Sequence, residues 1–286
     1  MRKDVMGRTI RFMLEHPIAG KFKSRALFRY LWWQASSRLK DKVTVEWIGG
    51  TKLVASHGMT GATGNIYCGL HEFPEMGFLL HLLRPSDLFC DVGANIGSYT
   101  ILASGVAKAE TLAFEPVPET IRSLSANIQA NRIAELVSVH EVVLGPQDGM
   151  ANFSIDQDTM NHVARKEDQV TRLLPMRKLD TVLNGRCPIF LKIDVEGYEE
   201  EVFSGAQLTL SDPRLLAICT ELFTPKMSQA LGRMGFSRFY YNPYTRDLTP
   251  FGNALKHSNT LLVRDHESVQ ARLRAAPSFR VFRIDI

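Results

Sequence analysis

Carboxylates set at the ends of apolar runs are the side chains in this chain whose type and spacing could do chemistry. Asp91 follows Leu88-Phe89-Cys90 and leads into the turn Val92-Gly93-Ala94-Asn95-Ile96-Gly97. Glu115 ends Thr111-Leu112-Ala113-Phe114. Asp194 ends Pro188 to Ile193 with Glu196 two residues later, and Glu221 lies at the end of Leu215 to Leu222. Short apolar runs bounded by turn residues read as buried parallel strands. In open α/β sheets, ligands bind in the crevice outside such strand ends.

Gly93 and Gly97 let the backbone adopt conformations closed to other residues, so a ligand can approach the main chain and the N-terminus of the helix that starts near Tyr99. The alternative use of such glycines is close packing of strand and helix. The spacing is not Gly-x-Gly-x-x-Gly, and no Lys-Ser or Lys-Thr follows, so a diphosphate is disfavoured. Asp91 would repel a phosphate but suits a ligand carrying an ammonium group. Glu115, about 20 residues on, is placed to accept ribose hydroxyls. S-adenosylmethionine has both features.

Asp194 and Glu196 form a second chemical centre. Paired buried acids tend to separate in protonation, which suits one of them to taking a substrate proton. Two other uses stay open: a divalent metal held with Glu221, and capping of the helix expected over Tyr198 to Gly205. His162, in the polar stretch Thr159-Met160-Asn161-His162, is either a general base or a solvated loop residue. Asp148, in Gly145-Pro146-Gln147-Asp148-Gly149, either accepts from an adenine amino group or is turn chemistry. Glu72 either faces the site or is a first-turn acid favoured by its helix dipole.

The elements that must position these residues alternate. Before the Asp91 turn, a β-hairpin is expected over Val43 to Trp47 and Leu53 to Ala55 around Gly49-Gly50. A glycine-rich loop from Gly58 to Gly69 and a helix from about Glu75 to Leu83 follow. After it come a helix over Pro118 to Asn131, a strand over Val137 to Leu144, an antiparallel excursion from Met150, and a helix over Lys226 to Met234. Strands over Phe236 to Tyr241 and Thr260 to Val263 finish the pattern. Tyr240, Tyr241, Tyr244, Phe251 and Arg246 near the end either hold a sugar ring or are structural. The alternation predicts an α/β fold, a doubly wound, mostly parallel sheet with an antiparallel C-terminal strand.

The chain has 286 residues, 45% of them hydrophobic, enough for one large core. We expect a single domain over 43–286 preceded by an extension over 1–42. The extension holds eleven Lys or Arg against three acids. With a whole-chain charge of +4, the remainder is net acidic. We expect two helices in it, broken near Pro17, the second capped by Ser24 and carrying Leu27, Phe28, Leu31 and Trp32 at helical spacing. A basic, aromatic helix either rests on an anionic membrane or packs on the domain or on a second copy as a homodimer. Nucleic acid is disfavoured, because no aromatic-and-basic strand motif recurs.

Cys68, Cys90, Cys187 and Cys219 are widely spaced without Cys-x-x-Cys, and no apolar stretch approaches the roughly 18 residues of a membrane span. With no leader pattern, a reducing cytoplasm is expected, and the sequon Asn152-Phe153-Ser154 carries no meaning.

Taken together, Asp91-Val92-Gly93-Ala94-Asn95-Ile96-Gly97-Ser98-Tyr99-Thr100, Phe114-Glu115-Pro116-Val117-Pro118-Glu119-Thr120 and Leu191-Lys192-Ile193-Asp194-Val195-Glu196-Gly197-Tyr198-Glu199 with Val202-Phe203-Ser204-Gly205-Ala206 resemble the FkbM family. These are methyltransferases that use S-adenosylmethionine. The resemblance runs from about Ile66 to Val263. It implies a Rossmann-like methyltransferase sheet with cofactor binding by Asp91, Gly93, Asn95, Gly97 and Glu115, and by Ala94 and Tyr99 of the same stretch. It places Asp194 beside the sulfonium and implies O-methylation of a hydroxyl on a sugar, glycolipid or natural product. A nicotinamide-dependent oxidoreductase is the alternative enzyme. A non-enzymatic adaptor working through the basic helices is the alternative outside enzymes.

Overall fold

The computed structural model describes residues 2–154, 171–252 and 259–286. Helix α1 (Arg2–Glu15) and helix α2 (Lys23–Leu39) are joined by a short 3-10 turn. They lead to the hairpin of β1 (Val43–Glu46) and β2 (Lys52–Ala55), then to α3 (Thr60–Cys68) and α4 (Phe73–Leu82). The catalytic-looking stretches fall in β3 (Leu88–Val92), α5 (Ser98–Thr100, continuing as a π-helix to Val106), β4 (Glu110–Phe114), α6 (Pro118–Asn131) and β5 (Val137–His140).

Next come β6 (Val143–Leu144), β7 (Gly149–Ser154), β8 (Thr171–Arg177), α7 (Leu179–Leu183), β9 (Phe190–Ile193), α8 (Glu199–Ser204) and α9 (Gln207–Ser211). The chain continues through β10 (Ala217–Thr220), α10 (Pro225–Arg233), β11 (Ser237–Asn242), β12 (Asp247–Pro250), β13 (Thr260–Val263) and α11 (His266–Arg274). It ends in the hairpin of β14 (Arg280–Val281) and β15 (Ile284–Asp285).

Eight strands form the central sheet in the order β12-β11-β13-β10-β9-β3-β4-β5. β5, β4, β3, β9 and β10 run parallel, while β13 is antiparallel to both its neighbours, and β12 is antiparallel to β11. The doubly wound, Rossmann-like arrangement with a late antiparallel strand is therefore present. From β3 the chain proceeds outward to β4 and β5, then returns to lay β9 on the other side of β3. This reversal opens a crevice beyond the carboxyl ends of β3 and β9.

Every residue of β3, β9 and β10 is buried, as strands covered on both faces require. Phe89, Phe190, Ala217 and Cys219 pack on one face with Phe78 and Leu79 of α4. Cys90, Leu191, Ile193 and Ile218 pack on the other with Val202 and Leu210 of α8 and α9. On the first face, Asp91 of β3 is the register partner of Lys192 of β9.

The hairpin edge is closed by side chains. Asn131 and Asn127 of α6 exchange hydrogen bonds with the backbones of Lys52 and Val54, each amide acting as a piece of strand. The four cysteines are unpaired. Among the described residues, no helix is long and apolar enough to cross a membrane.

Several expectations are corrected. The stretch expected as a glycine-rich loop is largely helix α3. A Cβ on Gly64 would stand 2.1 Å from the His71 ring, so that glycine serves contact and not chain freedom. The run Val137 to Leu144 is two strands, because Val143 and Leu144 leave the central sheet to pair with β8. Helix α2 begins at Lys23, and no side chain caps it. Of the uses left open for the α2 stripe, packing on the domain is not the one seen, since Leu27, Phe28, Leu31 and Trp32 are exposed while Ala26 and Trp33 are buried.

Candidate functional site

A cleft of about 300 Å³ opens at the chain reversal, lined from the β3, β4 and β9 tips by Asp91, Gly93, Ala94, Asn95, Glu115, Lys192, Asp194 and Glu196. Its far wall on the β4 side includes Val143, Leu144 and Phe153. Its wall on the β9 side includes Asn65, His71, Glu72 and Tyr99.

The Asp91 turn is built from main chain. The N–H groups of Gly93 and Ala94 both donate to the carbonyl of Phe114 at 3.0 Å. Asn95 sits in the left-handed region (φ 51°), and its N–H donates to Glu115 Oε2 at 3.0 Å, while Glu115 Oε1 accepts from Val117 N at 3.0 Å. Glu115 thus locks β4 to the turn and retains lone pairs for hydroxyl donors, because a carboxylate accepts about four bonds. Burial pushes its carboxyl up to about 7, against the lowering effect of those two N–H donors. Gly93, at φ 78°, could not carry a Cβ, which would meet the carbonyl oxygen of Asp194 at 1.9 Å.

Gly97 (φ 90°) faces Leu124 of α6 at 2.5 Å from where a Cβ would lie. It is thus the glycine that packs strand against helix. Unlike Gly93, Ala94 and Asn95, it is absent from the cleft lining.

Asp91 is fully buried. Its Oδ2 accepts from Thr100 Oγ1 at 2.7 Å, and among the described residues its Oδ1 has no hydrogen-bond partner. Burial raises its pKa, with Lys192 and Thr100 opposing. A buried acceptor without a donor is costly, and Asp91 is a residue of the cleft lining, where a ligand donor could meet it.

The sequence reading missed Lys192, which couples the two carboxylate centres. Lys192 Nζ donates to Asp194 Oδ2 at 2.9 Å and lies 4.7 Å above the Tyr99 ring. Burial alone would lower its pKa, but Asp194, Asp91 and Glu72 hold it above the ordinary value. A lysine inside an otherwise apolar buried strand was the available signal. Glu72 does face the cleft: its oxygens accept from Tyr99 Oη at 2.5 Å and Asn259 Nδ2 at 2.7 Å. Asn65, also missed, ties the wall together through His71 N at 2.8 Å and Ser98 Oγ at 3.1 Å.

Asp194, Glu196 and Glu221 bring carboxylate oxygens within 4.8 Å of one another, although Glu221 stands outside the cleft lining. Burial first, then Asp194 and Glu196, pushes Glu221 up to about 7. The set has the donor chemistry of a divalent cation site, but the ammonium of Lys192 on Asp194 opposes a second positive charge. Holding the Asp194 turn against the following helix falls to Glu199, whose Oε1 accepts from Val195 N at 3.4 Å.

Other expected residues lie elsewhere. Asp148 is not in the cleft: its oxygens accept from Lys178 N at 2.8 Å and Thr181 Oγ1 at 3.1 Å, fastening the start of α7. His162 lies outside the described residues. Arg246 binds the carbonyls of Ala276, Pro277 and Ile286, and the hydroxyls of Tyr241 and Tyr244 are engaged by His81 and Pro17. These side chains fasten the C-terminal segment, α4 and the turn after α1 to the sheet.

Residues 91–246 match the family model described as the methyltransferase FkbM domain. The chain is also 31% identical over 131 residues to the hexuronic acid methyltransferase AglP of Haloferax volcanii. That match covers 44% of this chain and 53%, about half, of the relative. Among solved structures, it is similar to a ribosomal protein L11 methylase from Lactobacillus delbrueckii subsp. bulgaricus, with TM-score 0.41, 12% identity, and 70% and 82% of the two chains covered. An rRNA methylase from Streptococcus thermophilus gives TM-score 0.38, 14% identity, and 66% and 93% covered. The matched segment begins at Asp91, takes in the strand tips that line the cleft from the glycine turn to Glu196 and spans more than half of the sequence, so the chain belongs to the FkbM family of methyltransferases.

Proposed function

We propose that this protein is an S-adenosylmethionine-dependent O-methyltransferase whose acceptor is a hydroxyl of a sugar or of a sugar-bearing lipid or natural product. The observation that carries the reading is the unpartnered oxygen of buried Asp91 beside Glu115 on adjacent strand tips of one cleft. Asp91 suits an ammonium group and Glu115 suits ribose hydroxyls, while the apolar wall of Val143, Leu144 and Phe153 suits a purine. Bound there, the cofactor would supply an electrophilic methyl group on a sulfonium.

The chain's own task is then to present a hydroxyl in line with that methyl and to take its proton. Asp194 is the favoured proton acceptor, because Lys192 fixes one of its oxygens and its side chain remains partly open. Glu196 and Glu221 are placed to orient the acceptor. A hydroxyl-rich ring fits a mouth lined with carboxylates, and the relative's printed name supports a sugar. Hydride transfer is disfavoured by the glycine spacing and by family membership.

The test is label transfer from methyl-labelled S-adenosylmethionine to a panel of neutral sugars, uronates and glycolipids, with cofactor affinity measured in parallel by calorimetry. We expect a labelled ether, and about 10²-fold slower turnover in Asp194→Asn with cofactor affinity little changed. Full turnover in that variant would remove Asp194 from the reaction. Binding of a nicotinamide dinucleotide in place of S-adenosylmethionine would overturn the cofactor assignment. Exhaustive chelation that leaves the rate unaltered would dismiss a metal at Asp194, Glu196 and Glu221.

A further inference from the structure

Helix α2 has two apolar faces, and the fold uses one. Ala26 and Trp33 are buried with Met13, Ile66 and Tyr67. Arg29 fixes this orientation by donating to the Tyr67 carbonyl at 2.9 and 2.6 Å and lying over the Phe282 ring. The opposite face presents Leu27, Phe28, Leu31 and Trp32 at i, i+4 spacing, with Phe28 68% and Leu31 58% exposed, and Leu39 follows at 83%. Single exposed apolar residues are ordinary, but a contiguous stripe of large ones marks an interaction surface. Exposed Lys23 and Arg25 stand at the start of this stripe, and Arg38, Lys40 and Lys42 at its end.

We propose that this face docks on an anionic lipid bilayer, with Phe28, Leu31 and Trp32 entering the boundary between headgroups and acyl chains and the flanking cations meeting lipid phosphates. The composition is that of a helix lying in the membrane plane, with aromatics and leucines on one side and Lys and Arg at its margins. Charge separates this occupant from a second copy of the chain. A two-fold dimer through the stripe would set an extension with eleven cations and three acids against itself. An anionic leaflet supplies the opposite charge. The extension that carries this face also reaches the cleft wall, where the rings of Phe12 of α1 and His71 meet in a tilted pair with centroids 4.9 Å apart.

The experiment is co-sedimentation of the full chain with vesicles of phosphatidylcholine alone and with about a third phosphatidylglycerol, with no cofactor or acceptor present. Its outcome is therefore independent of methyl transfer. We expect binding at least about tenfold tighter to the anionic vesicles, weakening as salt screens the cations. The Phe28→Ser, Leu31→Ser double variant should lose about tenfold of that affinity. Both residues are exposed, so its melting temperature should match the parent, which separates lost docking from lost folding. Equal binding to both vesicle types, undiminished binding by the double variant, or a solution dimer that the double variant dissociates would overturn the proposal.

Discussion

The two carboxylate ends of the cleft are held by different means. At the tips of β3 and β4 the geometry is main chain: two N–H groups on the Phe114 carbonyl, two more on Glu115, and a glycine pressed against the Asp194 backbone. At the tips of β9 and β10 it is side-chain charge, with Asp194, Glu196 and Glu221 crowded together beside the buried ammonium of Lys192. The first arrangement is preset by backbone contacts. The second depends on which acids are ionised, and so on pH and on what lies in the mouth. That difference suits a fixed ligand on the β4 side and proton movement on the β9 side.

The largest effect should come from disturbing the preset half. In Gly93→Ala the new methyl would overlap the Asp194 carbonyl oxygen at a φ of 78°, so β3 and β9 must separate or the turn must refold. We expect a loss of about 3 kcal/mol or more in stability and no measurable cofactor binding, read by thermal unfolding and titration calorimetry. A variant that melts with the parent would break the claim that backbone contact sets this end.

Next in size is Lys192→Met. Removing one partner of a buried charged set costs about 3–5 kcal/mol, and the Lys192 side chain is only 5% exposed. Asp91 would be left beside Asp194 without its cation. Asp91, whose pKa burial already raises against the pull of Lys192, would then hold its proton still more tightly in the folded than in the unfolded chain, so the deficit should shrink on acidification and grow as pH rises. Denaturant midpoints of variant and parent across pH check this. A constant difference would mean that Lys192 serves packing and not charge balance.

The preset half was also the legible one. Strands buried on both faces leave continuous apolar runs, so the positions of Asp91, Glu115 and Asp194 follow from the sequence, as does helix α6 to the residue. What escaped depends on contacts between distant segments. Lys192 is conspicuous in its strand, but its tie to Asp91 comes from the β3-to-β9 register, about 100 residues apart in the chain. Asp148 is turn chemistry until Thr181 approaches it. The glycines of α3 suggested a loop because their use is contact with the His71 ring, which local propensity does not reveal. For α2, periodicity gave a stripe but not which side the domain would cover.

The smallest expected effect sharpens the comparison from the charged side. Glu221 holds its proton up to about pH 7, well above its ordinary 4.5, because burial and the facing carboxylates of Asp194 and Glu196 disfavour a further negative charge. Between those two values the folded chain keeps a proton that the unfolded chain has released, so this group contributes stability that is lost as pH rises through about 7. On the rate the sign is opposite. A protonated cluster accepts an acceptor proton poorly, so turnover should rise through the same pH and then level.

Glu221→Gln keeps the shape and removes the titration. It should flatten that limb and change turnover near neutrality by about tenfold or less, with cofactor affinity unmoved. The preset half titrates near the same pH through Glu115, also at about 7, so a limb that survives in the variant belongs to the cofactor end. In that case the two ends would not divide binding from proton transfer.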